Sequence, residues 1–133
     1  MPFDQARVDV ICNFFEELLF LTEDEFYGKP FKLLPWHEHA IRGIFGPVDD
    51  QGEPLVKLAY LELPKKSSKT IFCAGLALAV FCLDPFPGCQ VYGAAAVTKQ
   101  ARVAYRMACK MIEQQPQLSA RLRILRGTDT IMR

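Results

Sequence analysis

The feature that most narrows the fold is an extended apolar segment that meets a lysine-bearing turn and continues at once into a charge-free helix former. It occupies Lys57 to Leu83, KLAYLELPKKSSKTIFCAGLALAVFCL. Leu58, Ala59, Tyr60, Leu61 and Leu63 supply the strand-like part, and Pro64, Lys65, Lys66, Ser67 and Ser68 form the turn. The run from Ile71 to Leu83 is thirteen residues without a charge. That is too short to span a bilayer, so it reads as a buried helix. A strand–turn–helix order with Lys69-Thr70 at the helix entrance is the layout of a phosphate-binding loop. Its chemistry is local: backbone N–H groups at a helix N-terminus attract phosphate, a lysine reaches the terminal phosphates, and a hydroxyl holds Mg²⁺.

The general pattern is G-x-x-x-x-G-K-[ST], and Leu63 and Ser68 stand where its two glycines would be. Glycine suits those positions because the loop bends through unusual backbone angles and lets phosphate approach closely. Serine reaches such angles at a cost of ~1–2 kcal/mol. On the residues alone, two readings stay open: a phosphate-binding loop, or a lysine-bearing turn between a strand and a helix.

Around this unit the periodicity predicts a simple order. Asp4 caps a first helix whose apolar face is Val8, Ile11, Cys12, Phe15, Leu18 and Leu19. The acidic turn Thr22 to Phe26 leads to the loop signals Gly28 and Pro30. Pro35 begins a second helix that ends near Gly46-Pro47, and Asp49 to Gly52 is a turn. A strand is expected over 55–63, a helix from Thr70 to Leu83, and a second strand from Cys89 to Ala96. One helix between the two strands makes them a parallel pair with a right-handed crossover. A further helix covers 98–114 and stops at Pro116, a short helix or turn covers 117–126, and Gly127 to Arg133 offers a third strand.

This β-α-β-α order indicates an α/β fold with an incomplete parallel sheet of two to three strands and flanking helices. It divides into an N-terminal helical region, 1–50, and a strand–helix core, 51–133. A parallel sheet of so few strands wants cover on both faces. The sequence is therefore expected to be a truncated product or a piece of a longer protein.

Half of the 133 residues are apolar and the net charge is +1, which excludes a globally basic nucleic-acid binder. The charge is unevenly spread: 97–133 carries a net +6 and 1–96 a net −5. Such asymmetry marks either a polyanion-facing end or a solvated helix face. Lys99, Arg102, Arg106 and Lys110 recur at helical spacing and form one basic stripe that could lie along DNA phosphates. Five cysteines, Cys12, Cys73, Cys82, Cys89 and Cys109, show no C-x-x-C spacing, and a reducing cytosol is their natural setting. His37 and His39 are two apart and point different ways on a helix, so they do not make a metal site.

Four segments, Leu21 to Gly46, Leu58 to Thr70, Ala74 to Ala101 and Ala101 to Ile112, resemble in order the motifs of the N-terminal ATPase segment of tailed-phage terminase large subunits. They look like that family's adenine-side motif, its variant Walker A loop, the helix and strand that follow, and its A-x-x-x-x-Q-A helix entrance. The resemblance spans about residues 14–126 and implies a P-loop NTPase-like fold, ATP and Mg²⁺ as cofactors, and ATP-driven packaging of double-stranded viral DNA. It further implies a portal and a small terminase subunit as partners, a ring-like homo-oligomer, and the host cytoplasm as location. Lys69 would then hold the β/γ-phosphates and Thr70 the Mg²⁺. Lys65 or Lys66 would be the family's early basic residue, with Pro64, Ser67 and Ser68 lining the loop. Trp36 and His37 would face the adenine, with His37 where relatives usually carry a glutamine. Gln100 would begin the Gln-Ala pair. No acidic pair after an apolar run follows Ala96, so little hydrolysis is expected from these 133 residues alone. The alternative is a non-catalytic nucleotide- or DNA-binding remnant that acts as an interaction module.

Overall fold

The computed structural model describes residues 2–21, 28–64, 69–83 and 89–132, except for the side chain of Arg126. Helix α1, Gln5–Leu18, begins where Asp4 accepts the Arg7 N–H at 3.0 Å, as the capping signal predicts. Its buried face is Val8, Ile11, Phe14 and Phe15, with Leu19 just beyond its end. Helix α2, Pro35–Phe45, starts on the expected proline. Between them, Leu19 and Leu21 exchange backbone hydrogen bonds with Phe31, Lys29 and Gly28, which folds the chain back toward α2. The turn at 49–52 closes through Asp49, whose carboxylate accepts the N–H groups of Gln51 and Glu53. Gly52 takes a φ of 82°, a conformation that costs glycine nothing.

Helix α3, Lys69–Leu83, begins one residue before its expected start and is apolar on nearly every side. It lies mainly against α4, Thr98–Gln114, and also meets α1. Ile71, Phe72, Ala74, Leu78 and Ala79 of α3 join Phe15 and Ile11 of α1 and Ala108, Met111 and Ile112 of α4 in one core. Gly75 permits the closest approach, because a Cβ there would sit 2.4 Å from the Phe15 ring. Pro116 opens the short helix α5, Pro116–Ser119, as well as ending α4. Gln114 and Gln115 donate to the carbonyls of Leu21 and Leu18, tying the end of α4 to the end of α1.

The sheet departs from expectation in its local detail. Neither 55–63 nor 89–96 pairs into a ladder among the described residues, so the parallel pair with its crossover is not formed. Several apolar side chains of the two segments lie in solvent, Leu58 90%, Tyr60 83% and Tyr92 82% exposed, while Leu61 packs against the core. The physical reason is cover. A parallel strand is stable when both faces and both edges are occupied, and the core helices bury little of either segment. The strands that do pair are β1, Arg123–Leu125, and β2, Thr130–Met132, antiparallel, with Ile124 opposite Ile131. The third expected strand thus exists, but its partner is 123–125, which the sequence assigned to a short helix or turn. The Tyr105 hydroxyl donates toward the carbonyls of Leu125 and Thr130, and Arg102 pairs with Asp129 at 2.8 Å, holding this hairpin on α4. The whole remains an incomplete α/β arrangement, helices with a small sheet.

Candidate nucleotide site

The site is organised by the first turn of α3. Lys69 and Thr70 are exposed there, and Ile71 and Phe72 turn inward. That turn contains no acidic side chain, so the positive end of a fifteen-residue helix is left uncompensated. Lys69 also reaches Cys73 electrostatically: burial pushes the Cys73 thiol up, and the ammonium draws it partly back. Pro64 is exposed. Lys65, Lys66, Ser67 and Ser68, the middle of the expected loop, lie outside the described residues.

The N-terminus of α2 closes on the same turn. The Trp36 ring lies 5.1 Å from that of Phe72 at 70°, edge to face, and is partly buried against the core. His37 lies 4.7 Å from Phe72, 3.9 Å from Trp36 and 5.7 Å from Phe31, centroid to centroid. Phe72 continues this stack to Phe15 at 5.5 Å, inside the core. Such tilted and edge-on pairs add about 0.5–1.5 kcal/mol each beyond burial. Residues expected to face the two ends of one nucleotide are therefore adjacent in the fold. The residue that joins them, Phe72, was missed as a site residue; its place three after Lys69, inside an apolar run, marked it only as core.

His37 does not sit at the surface. It is 2% exposed, and its Nδ1 accepts the Leu34 N–H at 2.8 Å, while its own N–H donates to the Leu34 carbonyl at 3.0 Å. This is the reciprocal bonding of a helix cap. Because Nδ1 accepts, the ring proton resides on Nε2, which has no hydrogen-bond partner among the described residues. Burial lowers the His37 pKa, because the charged ring loses its water.

The basic stripe is present as expected. Lys99, Arg102, Arg106 and Lys110 are all exposed on α4, with Arg102 partly neutralised by Asp129. Gln100 is exposed in the first turn of α4. Among the described residues no three His, Cys, Asp or Glu side chains gather as a metal site. Nor is any helix among the described residues long and apolar enough to cross a membrane.

The model of the terminase large subunit ATPase domain matches residues 35–132. The crystal structure of the HK97 bacteriophage large terminase superposes with a TM-score of 0.80 at 21% identity, over 95% of this chain. The chain spans 25% of the length of that protein. No curated protein sequence matches it at a significant level.

Proposed function

The chain belongs to the family of terminase large subunit ATPase domains, and from that premise we propose that it binds ATP and Mg²⁺ at the entrance to α3. The observation that carries this reading is the contact of Trp36 with Phe72, one helical turn from Lys69. It supports a base-side platform and a phosphate-side helix end within a single site. The residues present fit the ligand. A helix N-terminus whose first turn carries no acid favours phosphate, and an exposed lysine and hydroxyl stand on that turn.

In this reading Lys69 attracts the β/γ-phosphates and the N–H groups of the first turn complete the anion cradle. Lys65 and Lys66 add positive charge, while Pro64, Ser67 and Ser68 shape the loop. Thr70 offers its hydroxyl to the metal, whose charge, when bound, offsets that of the phosphates. Trp36 supplies an aromatic face to the base. His37 stays beneath it as part of the support. No carboxylate on the described part of the α3 entrance can orient a water, so these residues bind far better than they hydrolyse.

The wider activity, ATP-driven movement of viral double-stranded DNA with a portal, a small terminase subunit and further copies of the chain in the host cytoplasm, requires the larger protein. Titration with a fluorescent ATP analogue and Mg²⁺ tests the core of the proposal. Saturable binding that Lys69→Ala reduces at least ten-fold is expected, with a cooperative melt confirming that both proteins are folded. Equal binding by both proteins, or none by either, refutes it. A second reading, DNA contact along Lys99, Arg102, Arg106 and Lys110, rests on their shared exposure. It predicts an affinity that falls with salt and a shallower salt slope in Arg106→Ala.

A further inference from the structure

We propose that this site does not distinguish between purine bases, and accepts purine nucleoside triphosphates as a class. The inference rests on the nucleotide-site reading above and deepens it. Strong discrimination between two ligands of the same shape needs a buried polar group that the wrong ligand leaves unpaired. Among the described residues the buried polar side chains are His37 and Gln115, and Gln114 also buries its Oε1. Both glutamines are held at the far end of α4, Gln114 donating to Leu21 and Gln115 donating to Leu18 and accepting from Gln117. His37 has the right position but no edge to offer: Nδ1 is taken by Leu34, and Nε2 is enclosed among Phe31, Trp36 and Phe72.

The other polar side chains near Trp36 in the sequence, Lys32, Glu38 and His39, are all exposed. An exposed group mismatched with a base goes back to water and loses little. Stacking on Trp36 is likewise blind to the base, since every purine presents a π-face. Phosphate charge therefore carries the affinity, with one aromatic contact added to it.

The test uses the whole chain with Mg²⁺ and displacement of the fluorescent ATP analogue by unlabelled ATP, GTP and tripolyphosphate. ATP and GTP are expected to displace it with affinities within about ten-fold of each other. Trp36→Leu is expected to weaken both nucleotides by about ten-fold and to leave tripolyphosphate unchanged. A preference for ATP over GTP of one hundred-fold or more, in a chain whose binding of both is weakened by Lys69→Ala, overturns this inference and leaves the nucleotide site standing. It would mean that His37 Nε2 reaches the base after all. Trp36→Leu weakening one nucleotide alone overturns it too. Binding of neither nucleotide by the folded wild-type chain overturns both this inference and the reading beneath it.

Discussion

Replacing Gly75 by alanine isolates the closest contact in the core. A Cβ at this position would stand 2.4 Å from Phe15 Cε1, 2.8 Å from Cζ and 3.1 Å from Leu19 Cδ1. Carbon atoms settle at about 3.5–4.0 Å, so α1 and α3 must part by about 1 Å or the Phe15 ring must turn. The ring has nowhere to go: it is fully buried, 5.0 Å from Phe31 and 5.5 Å from Phe72. Overpacking of this kind costs about 1–3 kcal/mol, against about 1 kcal/mol gained by removing a helical glycine. The net expectation is a loss of up to about 2 kcal/mol, which for a domain of this size lowers Tm by up to roughly 8 °C. Gly43→Ala is the matched control. It lies in α2, where an added Cβ meets nothing within 4 Å, and should stabilise by about 0.5–1 kcal/mol. Urea and thermal melts of the two variants should thus move in opposite directions, and Phe15→Leu should recover part of the Gly75→Ala loss. If both glycine variants stabilise, the α1–α3 contact is not as close as described and the packing argument fails.

Other perturbations read different parts of the molecule. Because burial holds the His37 pKa below its ordinary value near 6.5, the unfolded chain takes up this proton first as pH falls. Stability should be complete above pH ~6.5 and decline below it until the folded-state pKa is passed; the decline should flatten in His37→Phe, measured by melts from pH 8 to 5. The Arg102–Asp129 pair is half-exposed, so Arg102→Gln should cost no more than about 1 kcal/mol at low salt and less in molar salt; a loss of several kcal/mol in urea melts would contradict that. Tyr60→Ser should change stability by less than about 0.5 kcal/mol, since the ring is 83% exposed. A large drop in Tm would show that Tyr60 is packed after all. In the native state, alkylation followed by mass spectrometry should label Cys73 and spare Cys109, which is buried.

The helices were legible because their signals are local. Asp4, Pro35 and Pro116 each act within a turn of where they stand, and the 98–114 stripe repeats at the helical period. The strands were legible as extended chain but not as a sheet. Pairing depends on what lies across the ladder, and nothing in Leu58 or Tyr92 encodes that. The 123–132 hairpin was hidden for a related reason: its register is held from outside, by Tyr105 and Arg102. At the site, Lys69 and Thr70 emerged where the motif put them. His37 did not, because its neighbour spacing suits an exposed reader and a buried cap equally well. The contact with Leu34 that decides between them is a matter of tertiary burial.

Phe72 touches Phe15 on one side and Trp36 and His37 on the other. In the proposed site, one side chain therefore answers to two selective demands, the fit of the interior and the shape of the platform. Sequence drift at 15, 31, 36, 37 and 72 cannot proceed one position at a time without cost. Descendants of this chain should instead exchange these five residues in correlated sets, and a substitution neutral in one lineage should prove harmful when moved alone into another.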